Sequence, residues 1–174
     1  GDDVNEYYLS IPYCLSTAAF VDATSISAQD TTPTDIAFNS DGTKMFILGA
    51  ASDEINEYAL STGFDASSRS FTDVVRVNTQ ETAVSGIAFN SDGTKMFIVG
   101  FAGDDVNEYA LSTAFDTSTR SFTDATSISS QETTPRGIVF SSDGMKMFIV
   151  GSDGDEVNEY VLTTAWDAST LYFK

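Results

Sequence analysis

The sequence predicts an all-β fold assembled from repeated four-stranded units, and three observations carry that prediction. The chain repeats itself every 51 residues, each period contains four short runs with strand character, and no long window carries a helical period. Residues 36–49 read IAFNSDGTKMFILG and residues 87–100 read IAFNSDGTKMFIVG, identical at thirteen of fourteen positions, with a third copy, IVFSSDGMKMFIVG, at 138–151. A second block recurs at the same offset as DVNEYYL at 3–9, EINEYAL at 54–60, DVNEYAL at 105–111 and EVNEYVL at 156–162. A third element follows it, as in FDASSRSFTD at 64–73 and FDTSTRSFTD at 115–124.

Within a period, strand A is short and apolar: Ile36 to Phe38, Ile87 to Phe89 and Ile138 to Phe140. The turn Ser40-Asp41-Gly42-Thr43 follows, in which Gly supplies the positive φ that closes a hairpin and Asp bonds its own backbone. Strand B, Lys44 to Leu48 with copies at 95–99 and 146–150, is a continuous apolar run, as expected of a strand covered on both faces. Strand C is the VNEYAL block, with near alternation of polar and apolar residues. The Ser/Thr-rich runs Ala23 to Ser27, Val74 to Asn78 and Ala125 to Ser129 are expected to form strand D at the solvent-facing edge.

Four short strands per 51 residues suit a blade of a β-propeller; a parallel β-helix, whose coils are normally shorter, is the alternative. The block PTDIAFNSDGTKMFILG at 33–49 resembles the YVTN-type and WD40-like β-propeller repeats through Pro33, Ile36, Phe38, Asp41, Gly42, Lys44 and Phe46. The positions recur as Ile87, Phe89, Asp92, Gly93, Lys95 and Phe97, and as Pro135, Ile138, Phe140, Asp143, Gly144, Lys146 and Phe148. The resemblance implies the fold and no catalytic residue, because propellers host many functions. The closeness of the copies is also similar to the near-identical blades of microbial and phage-encoded repeat proteins and of multivalent lectins. An extracellular or virion-associated setting is the corresponding expectation.

One repeat domain spans 1–174, with a partial blade at 1–33, blades at 34–84 and 85–135, and an incomplete blade at 136–174. Three or so blades cannot make the usual closed ring, so the expectation is a homo-oligomer, most simply a dimer completing six blades. A piece of a longer array is the alternative.

Twenty-six Asp and Glu against eight Lys and Arg give a formal net charge of −18. Such a surface disfavours nucleic acid and anionic lipid, and suits cations, basic partners or neutral polar ligands. No apolar run reaches the length of a membrane span, so no membrane insertion is expected. Histidine is absent, and no nucleophile elbow or P-loop occurs, so no enzymatic activity is expected. The single cysteine, Cys14, excludes an internal disulfide and is expected to be a small buried hydrophobe.

Equal copies point to equal sites, hence a multivalent binding module, with a glycan or a protein as ligand. The candidate ligand-binding residues are Phe64 with Asp65, Phe115 with Asp116, and Trp166 with Asp167: an aromatic beside Asp and Ser/Thr suits a sugar ring with apolar faces. The same column is also expected of core packing. The loop 152–156, SDGDE, offers Asp153, Asp155 and Glu156 to a hard cation such as calcium. The remaining acids of that end of the blades, Asp30, Asp53, Glu54, Glu81, Asp104, Asp105 and Glu132, are expected in solvated loops. Asn56/Glu57, Asn107/Glu108 and Asn158/Glu159 are expected to satisfy backbone groups of neighbouring blades.

Overall fold

A computed structural model of the protein describes residues 1–154 and 156–174. The described residues are all-β and form fourteen strands: β1 (Asp3–Leu9), β2 (Ala18–Ser25), β3 (Pro33–Phe38), β4 (Lys44–Gly49), β5 (Glu54–Leu60), β6 (Arg69–Arg76), β7 (Val84–Phe89), β8 (Lys95–Gly100), β9 (Asp105–Leu111), β10 (Arg120–Ser127), β11 (Pro135–Phe140), β12 (Lys146–Gly151), β13 (Val157–Leu162) and β14 (Leu171–Phe173). Three antiparallel sheets, β3–β6, β7–β10 and β11–β14, run in simple up-and-down order, and β1 and β2 form a two-stranded sheet. The innermost strands β3, β7 and β11 lie side by side, so the sheets follow one another as blades of a β-propeller.

The core lies between blades. After its leading lysine strand B is apolar because both of its faces are covered: Met45 and Ile47 look back to the preceding blade with Tyr58 and Leu60, while Phe46 and Leu48 look forward to Ile87, Met96, Ile98 and Tyr109. The next interface repeats this with Phe97, Val99, Met147, Ile149 and Tyr160.

Strand D begins about five residues earlier than the Ser/Thr-rich runs suggested, at Arg69 and Arg120 rather than Val74 and Ala125. A short 3-10 turn at Ala66–Ser68 and at Thr117–Thr119 leads directly into strand D, so RSFTD is strand. One extra residue bulges the C–D pairing beside Phe71 and Phe122, and the Thr72 and Thr123 hydroxyls bond Glu57 O and Glu108 O at 2.9 Å there. Such a bulge twists an edge strand and blunts it against further pairing. Phe71, Phe122 and Phe173 each meet a strand-C tyrosine edge-on, with ring centroids 5.6–5.7 Å apart. Cys14 is half-buried, with its sulfur 3.2 Å from Ser16 Oγ, because the partial blade has no inner strands to cover it.

Burial pushes the hydroxyls of Tyr58, Tyr109 and Tyr160 up to about 12, from an ordinary 10. A raised value means that the folded chain holds protons the unfolded chain releases. Stability from these groups is therefore intact below pH 10 and lost as pH rises towards 12. Alkaline titration followed at 295 nm should show these three tyrosines ionising together with loss of near-ultraviolet circular dichroism. Their ionisation in a chain that stays folded would contradict this.

Candidate functional site

Two ends of the blades carry repeated polar units. At the A–B and C–D end, the chain leaves strand C and places Phe64, Phe115 and Trp166 in the left-handed region, at φ 60, 53 and 59°. Bulky residues rarely adopt it. Here it is held by the backbone N–H of Phe64, Phe115 and Trp166 donating to Gly42 O, Gly93 O and Gly144 O at 3.0, 2.9 and 3.0 Å. The ring then lies against that glycine, and a Cβ on Gly42 would fall 2.3 Å from the Phe64 ring. Each following Asp caps the 3-10 turn: Oδ1 of Asp65, Asp116 and Asp167 accepts from the Oγ of Ser67, Ser118 and Ser169 at 2.6 Å and from their N–H groups. The three candidate pairs thus share one conformation. Their exposure differs, because Phe115 and Trp166 pack against the apolar clusters between blades and are half-buried, while Phe64, paired with Phe38, lies outside such a cluster and is 54% exposed. Beside them, the A–B turn acids Asp41, Asp92 and Asp143 are held below the usual carboxylate range, chiefly by hydrogen bonds from Thr43, Thr94 and Ser141.

At the other end, Asp30, Glu81 and Glu132 are buried, which corrects the expectation of solvated loops. Glu81 Oε1 accepts from Ala83 N at 2.7 Å and Ala102 N at 3.2 Å, tying the D–A loop to the B–C loop; Glu132 does the same with Thr134 N and Asp153 N at 2.7 and 3.3 Å. The carboxylates occupy space vacated by glycine, since a Cβ on Gly49, Gly100 or Gly151 would fall 1.8, 2.4 or 2.0 Å from the acid above it. One oxygen of each accepts backbone N–H groups, which offsets part of the cost of burial, while Asp30 Oδ2 and Glu132 Oε2 have no partner. Nothing in the composition marks these acids apart from solvated ones.

The calcium candidates divide. Asp153 Oδ2 accepts from Thr133 Oγ1 at 2.6 Å, Glu156 is exposed, and Asp155 lies outside the described residues. Among the described residues no three acidic, His or Cys side chains converge as a metal group.

Strand C supplies the bridges between blades. Glu57 Oε1 pairs with Lys44 at 2.5 Å and its Oε2 accepts from Thr117 N and Oγ1 of the next blade at 3.2 and 3.1 Å. Glu108 pairs with Lys95 at 2.6 Å and accepts from Ala168 N at 3.0 Å. The lysines also donate to Phe115 O and Trp166 O at 2.7 and 2.6 Å. The expectation therefore holds for Glu57 and Glu108, whereas Glu159 pairs with Lys146 and Lys174. Asn56 and Asn107 are buried beside Glu57 and Glu108, but their Nδ2 atoms have no partner. Asp35 also crosses a blade interface, accepting from Ile87 N at 2.9 Å, and burial raises its carboxyl.

No family model and no curated protein matches the chain. Solved structures do. A Lactobacillus plantarum protein is 16% identical with a TM-score of 0.67, over 99% of this chain and 48% of that one. The Pseudomonas aeruginosa periplasmic gluconolactonase is 14% identical with a TM-score of 0.60, over 99% and 46%. The β-propeller domain of Myceliophteria thermophila Cps50 is 10% identical with a TM-score of 0.56, over 83% and 42%. At such identities the likeness is one of fold. The chain spans about half the length of the structures it matches.

Replacing Glu108 by Ala strands Lys95 and the Ala168 N–H in a closed interface and should cost about 3 kcal/mol in urea unfolding. Glu159→Ala should leave the midpoint close to that of the parent, because Glu159 lies at an open face with Lys146 and Lys174 in solvent. Equal losses for the two variants would contradict the bridging role.

Proposed function

We propose that this chain is a non-catalytic, multivalent binding module whose ligand-facing units are the corners Phe64–Asp65, Phe115–Asp116 and Trp166–Asp167, with glycans as the ligand class. The observation that carries this reading is the sameness of the three corners. Each presents an aromatic in a left-handed backbone conformation, a capping Asp with a serine on its Oδ1, and a glycine beneath the ring. One catalytic centre needs one set of side chains, whereas several equal weak sites gain through effective concentration. A rigid ring edged by carboxylate and hydroxyl groups suits a neutral sugar, and the net charge of −18 favours neutral over anionic ligands. Unusual backbone conformations held in place by their surroundings concentrate at ligand-contacting sites.

A protein-interaction scaffold is the second reading. It is favoured by the column Phe20, Phe71, Phe122 and Phe173 on the outermost strands, all exposed and repeated in every blade. Self-association belongs to the proposal as well, through the third blade, where Val139, Val150 and Val157 are exposed at positions whose counterparts Ala88, Val99 and Val106 are covered in the second. A stable monomer in sedimentation equilibrium would remove that part.

A broad glycan array tests the main reading. Binding should appear, and Phe64→Ala, which removes the most exposed of the three rings, should lower avidity roughly tenfold while the chain stays folded. An array without binding would leave the protein-scaffold reading. Hydrolysis of a gluconolactone above background, as the name of the Pseudomonas aeruginosa neighbour prompts one to measure, would replace the non-catalytic reading altogether.

A further inference from the structure

A groove of about 600 Å³ runs between β1 and β3, lined among others by Asn5, Glu6, Ile36, Phe38 and Phe64. The repeat says what chemistry fits it. At the second blade, the A-strand Phe89 and the corner Phe115 are joined by Phe46 from the preceding strand B, with Phe46 and Phe89 4.6 Å apart. At the third, Phe140 and Trp166 are joined by Phe97, 4.5 Å from Phe140. At the first, Phe38 and Phe64 form the same pair at 5.5 Å, and the third ring of the trio would come from a strand B beside β1. Ile36 is accordingly 39% exposed, where its counterparts Ile87 and Ile138 are 4% and 9% exposed.

The polar contacts tell the same story. Glu6 Oε2 accepts from Ala66 N at 3.4 Å, just as Glu57 accepts from Thr117 N and Glu108 from Ala168 N. In those two units a strand-B lysine completes the set by pairing with the glutamate and donating to the corner carbonyl. At the first unit the matching acceptors are Glu6 and the carbonyl of Phe64. The inner edge of β1, which pairs only with β2, offers the backbone register in which β4 meets β5.

We infer that this groove is a docking site for a β-hairpin of the repeat's own A–B sequence. The hairpin's strand B adds to β1, with its phenylalanine opposite Glu6 and its isoleucine opposite Asn5, as Phe46 stands opposite Glu57 and Ile47 opposite Asn56. The phenylalanine enters between Phe38 and Phe64, and the lysine meets Glu6 and the Phe64 carbonyl.

The probe is a fluorescent synthetic peptide of residues 33–50, titrated into the full chain and followed by anisotropy. Saturable one-to-one binding is expected, weakened at least about tenfold by Phe46→Ala in the peptide or by Ile36→Glu in the chain. Ile36 is partly exposed, so the variant should fold, and the peptide substitution gives the same information without altering the chain. If the chain self-associates through this groove, the peptide should dissociate it, which also supports the inference. Absence of saturable binding up to about 500 µM, or binding that both substitutions leave unchanged, overturns it.

Discussion

Each interface between complete blades rests on a glutamate that serves two sheets at once. Glu57 and Glu108 take a lysine from the adjacent strand of their own blade with one oxygen and a backbone N–H of the next blade with the other. Apolar faces such as those of strands B could pack in more than one register, since hydrophobic burial has no direction. A charged acceptor with two demanding donors has one register only, because a misplaced pair leaves a buried charge without compensation. The lysine extends the bridge, since its second bond goes to the carbonyl of Phe115 or Trp166 and so fixes the corner of the neighbouring blade.

The acidic composition takes on a different meaning once these contacts are seen. Asp30, Glu81 and Glu132 clamp the loops of one end, Asp65, Asp116 and Asp167 cap the turns of the other, and Asp35 ties two inner strands together. Many of the carboxylates are thus acceptors for backbone N–H groups that have no partner in the sheets. The charge of −18 is in part a consequence of building tight, repeated loops from short polar side chains.

Function is read from what remains after that accounting. The corner aromatics present the same unit three times, but the neighbouring blade covers Phe115 and Trp166 more than it does Phe64. Packing and exposure coexist in one column: Phe115 and Trp166 close blade interfaces with part of each ring, while Phe64 lines the open groove. The outer-strand phenylalanines form a second repeated surface, set by the bulge that brings Phe71 and Phe122 edge-on to the tyrosines beneath them.

Much of the fold was legible in the residues. The repeat of IAFNSDGTKMFIVG located strands A and B and the turn between them, since a continuous apolar run flanking an Asp-Gly turn has few other ways to fold. The alternation in VNEYAL marked strand C and its bridging glutamate. The start of strand D was not legible, because RSFTD has the composition of a loop and becomes strand only where the capped turn delivers it beside strand C. Nor was the burial of Asp30, Glu81 and Glu132, which depends on glycines about twenty residues away that make room for them. The exposure of Phe64 against that of Phe115 and Trp166 is likewise absent from the local sequence, which is nearly the same in all three. By itself the sequence determined the repeated unit, its strands A to C and the residues offered for bridging, because period and local propensity are properties of neighbours along the chain. The tertiary structure alone decided which carboxylates are buried, which rings face solvent and where a groove opens, because each depends on what the adjoining blade places against them.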